Sequence, residues 1–235
     1  MRYSLLLCLC LVLSGLTAQG RAIQNAPEAQ LQAIQNAPEA QQQAVQKVSE
    51  AQQRTMIERI NKAAAAIRTI DCRFTQVKTL HFLNDRMTSQ GRMVYDNRGK
   101  LRWEYQQPYS YTFILNGDKV HIKTSKSQQT IDIRQSRLFQ SIAEVMMNSV
   151  TGKGLTTSSD FSCTMYAAGS EWQALLIPKR KEMKKLFKDI RLHFSSSKQM
   201  VTQVDMTEQS GDTTVITLKE VKTNGRVDEK MFAAE

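Results

Sequence analysis

The sequence predicts a mainly β protein, built as a single curved antiparallel sheet or open barrel with one inserted helix and a helix before it. Three observations predict this. Runs of alternating apolar and polar residues recur from Ile70 onward, which is the period-two pattern of half-buried strands. Turn signals at Asn116-Gly117, Gly211 and Asn224-Gly225 separate several of these runs. One stretch, Gln135 to Val150, departs to helical spacing through Leu138, Ile142, Val145 and Met146, with Gly152 or Gly154 able to stop it.

Residues 1–18 read as an export signal. Arg2 gives a positive start, and LLLCLCLVL from Leu5 to Leu13 is apolar but too short to span a bilayer. Cleavage fits small residues at Thr17-Ala18 or Ala18-Gln19-Gly20. Cys8 and Cys10 lie inside the apolar run, so lipid attachment to the processed chain is not expected. Residues 19–48 form a polar spacer. AIQNAPEAQLQ, AIQNAPEAQQQ and AVQKVSEAQQR repeat every eleven residues, close to three helical turns, and Pro27 and Pro38 interrupt any continuous helix. The main domain is then 49–235. Ser49 and Gln52 match a capping box, so a helix starts there and runs to about Ala66, with Met56, Ile60, Ala63 and Ile67 on one face.

The strands follow in order. Ile70, Cys72 and Phe74 alternate in the first. Arg86 to Tyr95 places Met87, Ser89, Gly91, Met93 and Tyr95 on one side. KLRWEYQQPYSYTFILNGDKVHI, Lys100 to Ile122, encodes three strands. Leu101, Trp103 and Tyr105 alternate with Arg102, Glu104 and Gln106, and Pro108 ends that strand. Tyr111, Phe113 and Leu115 form the next, and Asn116-Gly117 predicts a two-residue hairpin returning through Val120 and Ile122. Together these present one apolar face over either a packed core or a ligand. Further strands are expected at 130–133, 161–167, 172–177, 187–194, 200–208 and 213–222.

Chemistry-bearing constellations are missing from the sequence. His81, His121 and His193 lack metal-ligand spacing, and no nucleotide loop or nucleophile motif occurs. No metal, no cofactor and no enzymatic activity are expected. The net charge of +10 points to an acidic partner. Export makes nucleic acid an unlikely one. Lys179 to Lys188, KRKEMKKLFK, carries six basic residues in ten, read either as a solvated loop or as a patch for anionic lipid or an acidic protein. Cys72 and Cys163 remain after export, either as a disulfide or as two buried thiols. The helix at 135–150 either closes an ordinary core or lids a greasy cavity, and Met146-Met147 would suit the latter.

The chain resembles the periplasmic carriers of outer-membrane lipoproteins, the LolA type. The resemblance rests on Phe74-Thr75-Gln76, LRWEYQQP at Leu101–Pro108, NGDKV at Asn116–Val120, the mid-chain helix and NGRVDEKMF at Asn224–Phe232, over roughly residues 50–235. It implies an incomplete antiparallel β-barrel with a helical lid over an apolar cavity. It further implies that Trp103 lines the acyl cavity, with Leu101, Tyr105 and Phe113 beside it and Phe139, Ile142 and Met146 contributed by the lid. Where the family often has Arg-Pro, with the arginine latching the lid, this chain has Asn97-Arg98-Gly99, so Arg98 is a displaced latch candidate. The resemblance implies a periplasmic, monomeric chaperone that performs no chemistry. It would take acylated lipoproteins from an inner-membrane ABC-type releasing complex to an outer-membrane acceptor. A LolA-like carrier of another lipid, and a sensor or scaffold using the same fold, are the alternatives.

Overall fold

In a computed structural model the described residues are 45–135, 137–153, 155 and 160–233, without the side chains of residues 137–139, 141 and 142. The expected export signal at 1–18 and the repeats up to residue 44 lie outside this set. The unit described begins at Val45.

Its first element belongs to the sheet, although the sequence placed it in the spacer. β1 (Gln46–Lys47) pairs with a much later strand, Gln46 opposite Ala167 and Lys47 opposite Tyr166. Helix α1 (Glu50–Ala65) follows, opened by the expected capping box. The Ser49 hydroxyl accepts from the Gln52 amide, and the Gln52 side chain accepts from the Ser49 amide at 3.0 Å. Its buried stripe is Met56, Ile57, Ile60 and Ala64. Ala64 replaces the expected Ala63, because a four-residue step from Ile60 keeps to the buried face. Asn224 closes the far end: its side-chain amide donates to the Ala66 carbonyl, and its side-chain oxygen accepts from the Arg68 amide.

Six strands then run as a meander: β2 (Thr69–Leu80), β3 (Asp85–Asp96), β4 (Lys100–Gln107), β5 (Tyr111–Asn116), β6 (Lys119–Thr124) and β7 (Gln128–Asp132). A 3₁₀ turn at Ile133–Gln135 leads into α2 (Arg137–Thr151), so the helix begins two residues later than expected. A second meander follows. It comprises β8 (Phe161–Ala168), β9 (Glu171–Pro178), the one-turn α3 (Lys181–Lys184), β10 (Phe187–Ser195), β11 (Val201–Glu208) and β12 (Thr213–Thr223). A 3₁₀ turn, Glu229–Phe232, ends the described chain.

The twelve strands form one antiparallel sheet in the order β1-β8-β9-β10-β11-β12-β2-β3-β4-β5-β6-β7. The two meanders thus meet along a long seam between β12 and β2, and β1 and β7 are the open edges. Register fixes which side chains share a face. Ile70, Tyr95, Leu101, Leu115 and Val120 stand in one row across neighbouring strands. Cys72, Met93, Trp103, Phe113 and Ile122 form the next, and Phe74, Gly91, Tyr105 and Tyr111 a third. All of these but Gly91 are large or apolar and buried. They make the inner face.

The β5–β6 hairpin differs in one respect from expectation. Asn116 pairs with Lys119, so the two turn residues are Gly117 and Asp118, and only Gly117 needs a positive φ (59°). A glycine first in a two-residue turn satisfies the strand twist as well as Asn-Gly would. On the outer face, β3–β5 are capped by the chain's end: Phe232 packs against Val94 and Ile114, with Val227 and Met231 alongside. This is why all five residues from Tyr111 to Leu115 are buried rather than every second one.

Candidate functional site

The inner face gathers the residues that alternation selected. Leu101, Trp103, Tyr105 and Phe113 are all buried there. Phe74 on β2 organises them. Its ring centroid is 4.6 Å from that of Trp103 at a 37° tilt and 5.1 Å from Tyr105, edge to face. Tyr105 in turn meets Tyr111 edge-on at 5.9 Å. Such geometries add to the gain from burial alone. Gly91 makes room for them. A Cβ there would lie 2.7 Å from the Phe74 ring and 1.9 Å from the Glu104 carbonyl oxygen. The Trp103 indole Nε1 is buried with no hydrogen-bond partner among the described residues. An unsatisfied buried donor carries a desolvation cost of roughly 1–3 kcal/mol.

Polarity rises along β2 towards its hairpin. The Tyr105 hydroxyl donates to Gln76 Oε1 at 2.8 Å. Two residues on, the Lys78 ammonium and the Glu208 carboxylate pair at 2.8 Å, with their side chains only 8% and 19% exposed. The inner face is therefore greasy over most of its length and bears a buried charge pair at one end.

Helix α2 supplies the apolar cover opposite β11, and Ala143, Met146 and Val150 are buried on it at helical spacing. The side chains of Phe139 and Ile142 lie outside the described residues. After α2, Gly152 (φ 74°) brings the backbone against Phe194 on β10 and Ile60 on α1, where a Cβ would be 2.5 Å from the Phe194 ring. Beside the helix lies an apolar cavity of about 40 Å³, walled by Val145, Ser149, Leu155, Phe161, Leu176 and Leu192 among others. That volume holds roughly one to three water-sized molecules. Leu101, Trp103, Tyr105, Phe113 and Met146 are not among its walls. The sequence carried a usable signal for these missed walls, since Ala174 and Leu176 alternate in β9 and Ile190, Leu192 and Phe194 in β10.

Comparison with known proteins decides the family. The family model described as "Outer membrane lipoprotein carrier protein LolA" matches residues 65–235. The chain belongs to the LolA family. An outer-membrane lipoprotein carrier protein of Pseudomonas aeruginosa (strain PAO1) is 29% identical over 178 residues, 75% of this chain and 81% of that protein. One of Legionella pneumophila (strain Paris) is 25% identical over 180 residues, 76% and 85% respectively. Among solved structures, the LolA superfamily protein NE2245 of Nitrosomonas europaea matches 76% of this chain and 97% of its own at 10% identity, with a TM-score of 0.44.

Within this LolA-family chain, Arg98 and the two cysteines can be placed directly. Arg98 is engaged away from α2. Its guanidinium binds the Asp96 carboxylate, Nε to Oδ1 at 2.9 Å, and also pairs with Glu229, which Lys100 pairs with as well. The hydrogen bond from Arg98 holds the Asp96 carboxyl below the usual carboxylate range, against the opposing effect of burial. Arg98 thus joins the β3–β4 turn to the C-terminal 3₁₀ turn, and the partners it has among the described residues, Asp96 and Glu229, are not on α2. A glycine rather than a proline after Arg98 favours this, because Gly99 adopts φ 82° and closes a tight turn.

Cys72 and Cys163 are both free thiols, which selects the second of the two alternatives the sequence left open. Cys72 lies on β2 and Cys163 on β8, with β9 to β12 between them in the sheet. A bridge requires Cα atoms within about 7 Å. Burial, with a smaller contribution from neighbouring Asp71, pushes the Cys72 thiol up to about 12, and burial pushes Cys163 to about 11. Among the described residues no cluster of three His, Cys, Asp or Glu side chains could hold a metal ion.

Proposed function

We propose that this protein is a periplasmic lipoprotein carrier. It takes acylated lipoproteins from an inner-membrane ABC-type releasing complex, shields their acyl chains non-covalently against the inner face, and yields them to an outer-membrane acceptor. The observation that carries this reading is the continuous buried face of Phe74, Trp103, Tyr105 and Phe113 in a chain whose family is that of the outer-membrane lipoprotein carriers. No step makes or breaks a covalent bond.

Energetics favour such a device. Each acyl methylene withdrawn from water is worth about 0.8 kcal/mol, so release into water is negligible and transfer between apolar sites is the route open to cargo. A cavity of about 40 Å³ is too small for a whole acyl chain. Cargo therefore enters by displacing α2 and repacking the aromatic rings. The contacts that α2 and the rings each make when empty are what the acyl chains replace. An interior that closes on itself when unloaded binds cargo less tightly than a rigid hollow would, and this permits onward transfer.

The test combines depletion with capture. Without the protein, newly made lipoproteins should accumulate at the inner membrane. Normal arrival at the outer membrane would refute the transport reading. In the purified protein, Trp103→Phe should weaken capture of a fluorescent acyl probe several-fold while the fold persists. Unchanged capture would make Trp103 an ordinary core residue. Mass spectrometry of material extracted from the purified protein should show triacylated cysteine, and a different lipid would replace the cargo named here.

A further inference from the structure

The most exposed apolar side chains of the described residues sit together on one hairpin tip. Leu80 pairs with Asp85, leaving His81–Asn84 as the β2–β3 loop, with Asn84 at φ 47°. At its centre Phe82 is 94% exposed and Leu83 65% exposed. A soluble hairpin gains nothing from holding a phenyl ring and an isobutyl group in water. Polar turn residues would serve the loop as well. The pair therefore marks a surface meant for something apolar.

Its surroundings indicate which apolar partner. The His81 amide donates to Asp212 Oδ1 at 2.9 Å, fastening this tip to the β11–β12 turn. That turn is fastened on its other side to the basic segment before β10. The Gln209 amide donates to the Leu186 carbonyl and the Gln209 side-chain amide to the Phe187 carbonyl, both at 3.1 Å. The tip and the basic segment thus share one rim of the sheet, with β10 three neighbours from β2, roughly 4.8 Å per step.

The basic segment is itself ordered for display. Met183, fully buried, plugs the one-turn helix α3 into the sheet, and Arg180 is occupied by Asp160 at 3.2 Å. Lys179, Lys181, Lys184, Lys185 and Lys188 are all exposed. None of the five forms an ion pair among the described residues. Five free ammonium groups beside two water-facing apolar side chains fit a surface whose outside is anionic and whose inside is hydrocarbon.

We propose that this rim is a peripheral docking site for an anionic lipid bilayer. Phe82 and Leu83 enter the boundary between headgroups and acyl chains, and the five lysines neutralise lipid phosphates around them. Aromatic and aliphatic side chains on a basic scaffold bind in this interfacial mode without crossing the membrane. No described helix is long and apolar enough to cross one. The site stands apart from the inner face: it is reached from outside the sheet and needs no cargo.

The experiment uses the exported chain with extruded vesicles of phosphatidylcholine alone or with about 30 mol% phosphatidylglycerol. The protein should float with the anionic vesicles at about 50 mM salt, and far less at about 500 mM or with neutral vesicles, because the lysine contribution is screened. Phe82→Ser with Leu83→Ser should lower partitioning at least tenfold. Lys181→Gln, Lys184→Gln and Lys185→Gln together should lower it about a hundredfold, since each basic residue near such a surface contributes about a factor of five. Phe82→Trp, compared with the parent chain, should add a blue-shifted emission component on anionic vesicles. Trp103 is already buried and Trp172 half-buried. Equal binding to neutral and anionic vesicles, unchanged binding by either variant, or an unshifted Phe82→Trp spectrum would overturn the proposal. Binding to acidic proteins but not to vesicles would overturn it too. All substituted positions are exposed and remote from Trp103, so acyl-probe capture should survive in every variant. Loss of vesicle binding with capture intact separates a failure here from a failure of the carrier reading.

Discussion

Replacing Gly91 by alanine tests the packing of the inner face most directly. In an ordinary strand this change is favourable by about 0.5–1 kcal/mol, because glycine loses more backbone freedom on folding. Here the added Cβ would lie 1.9 Å from the Glu104 carbonyl oxygen, against a practical limit of 3.0 Å. β4 would have to retreat by about 1 Å at the point where β3 and β4 already shift register between Gln90 and Gly91. Phe74 would be pushed aside as well, disturbing its contacts with Trp103 and Tyr105. Overpacking of this kind costs roughly 1–3 kcal/mol, and two compromised aromatic pairs add about 1–2 kcal/mol more, so a net loss of about 3 kcal/mol is expected. For a domain of this size that lowers Tm by roughly 6–12 °C. Urea unfolding followed by circular dichroism supplies the measurement. Gly225→Ala is the control, since nothing lies within 4 Å of a Cβ there, and it should stay within about 0.5 kcal/mol of the parent. A neutral or stabilising Gly91→Ala would refute the proposition that Phe74 rests on Gly91.

Three further outcomes follow from the same geometry. His193 lies between Glu171 (2.9 Å) and Asp205 (2.8 Å). Burial works against its charge, but the two carboxylates together raise its pKa above the ordinary value. Its stabilising contribution is therefore complete below about pH 6.5 and fades as pH rises through the raised value. Stability measured across neutral pH should decline less steeply in His193→Asn. Lys78→Met leaves Glu208 without its inward partner and should cost about 3 kcal/mol in urea unfolding. Adding Glu208→Leu should recover most of that, whereas additive losses would show that the pair is not coupled. Cys72 is buried and Cys163 half-buried, and burial pushes both thiols far above neutrality. At pH 8 they should resist alkylation in the native protein and react fully in denaturant, and a shift on non-reducing electrophoresis would contradict the free-thiol assignment.

Much of this arrangement was legible in the sequence wherever the governing interactions are local. Ser49 and Gln52 announce the start of α1 because a capping box closes within one turn. Leu101, Trp103 and Tyr105 face inward together because side chains alternate along any strand. What alternation cannot convey is which strand lies beside which, and what covers the face. The β12–β2 seam joins strands more than a hundred residues apart, and no local pattern encodes such a pairing. The run Phe113–Leu115 held a clue in its three successive apolar residues, since Ile114 points outward and is buried where Phe232 returns to cover it. Lys78 is of a residue type that is almost always exposed. It is buried because register brings it opposite Thr214, with Glu208 within reach of its ammonium. The cavity walls were missed because they come from α2, β8, β9 and β10 at once.

The position of α2 in the chain has a mechanical consequence. The helix follows β7, which is one free edge of the sheet, and precedes β8, which with the short β1 forms the other. It is therefore a strap tied through the chain to both free edges of the sheet, rather than a flap hinged on one. When the edges part, the strap's two anchor points separate with them. When it lifts, it pulls on the weakest-paired strands of the molecule. Breathing of the sheet and motion of the helix are then one displacement seen from two places. A bulky group wedged beneath the strap would therefore be felt at both edges of the sheet.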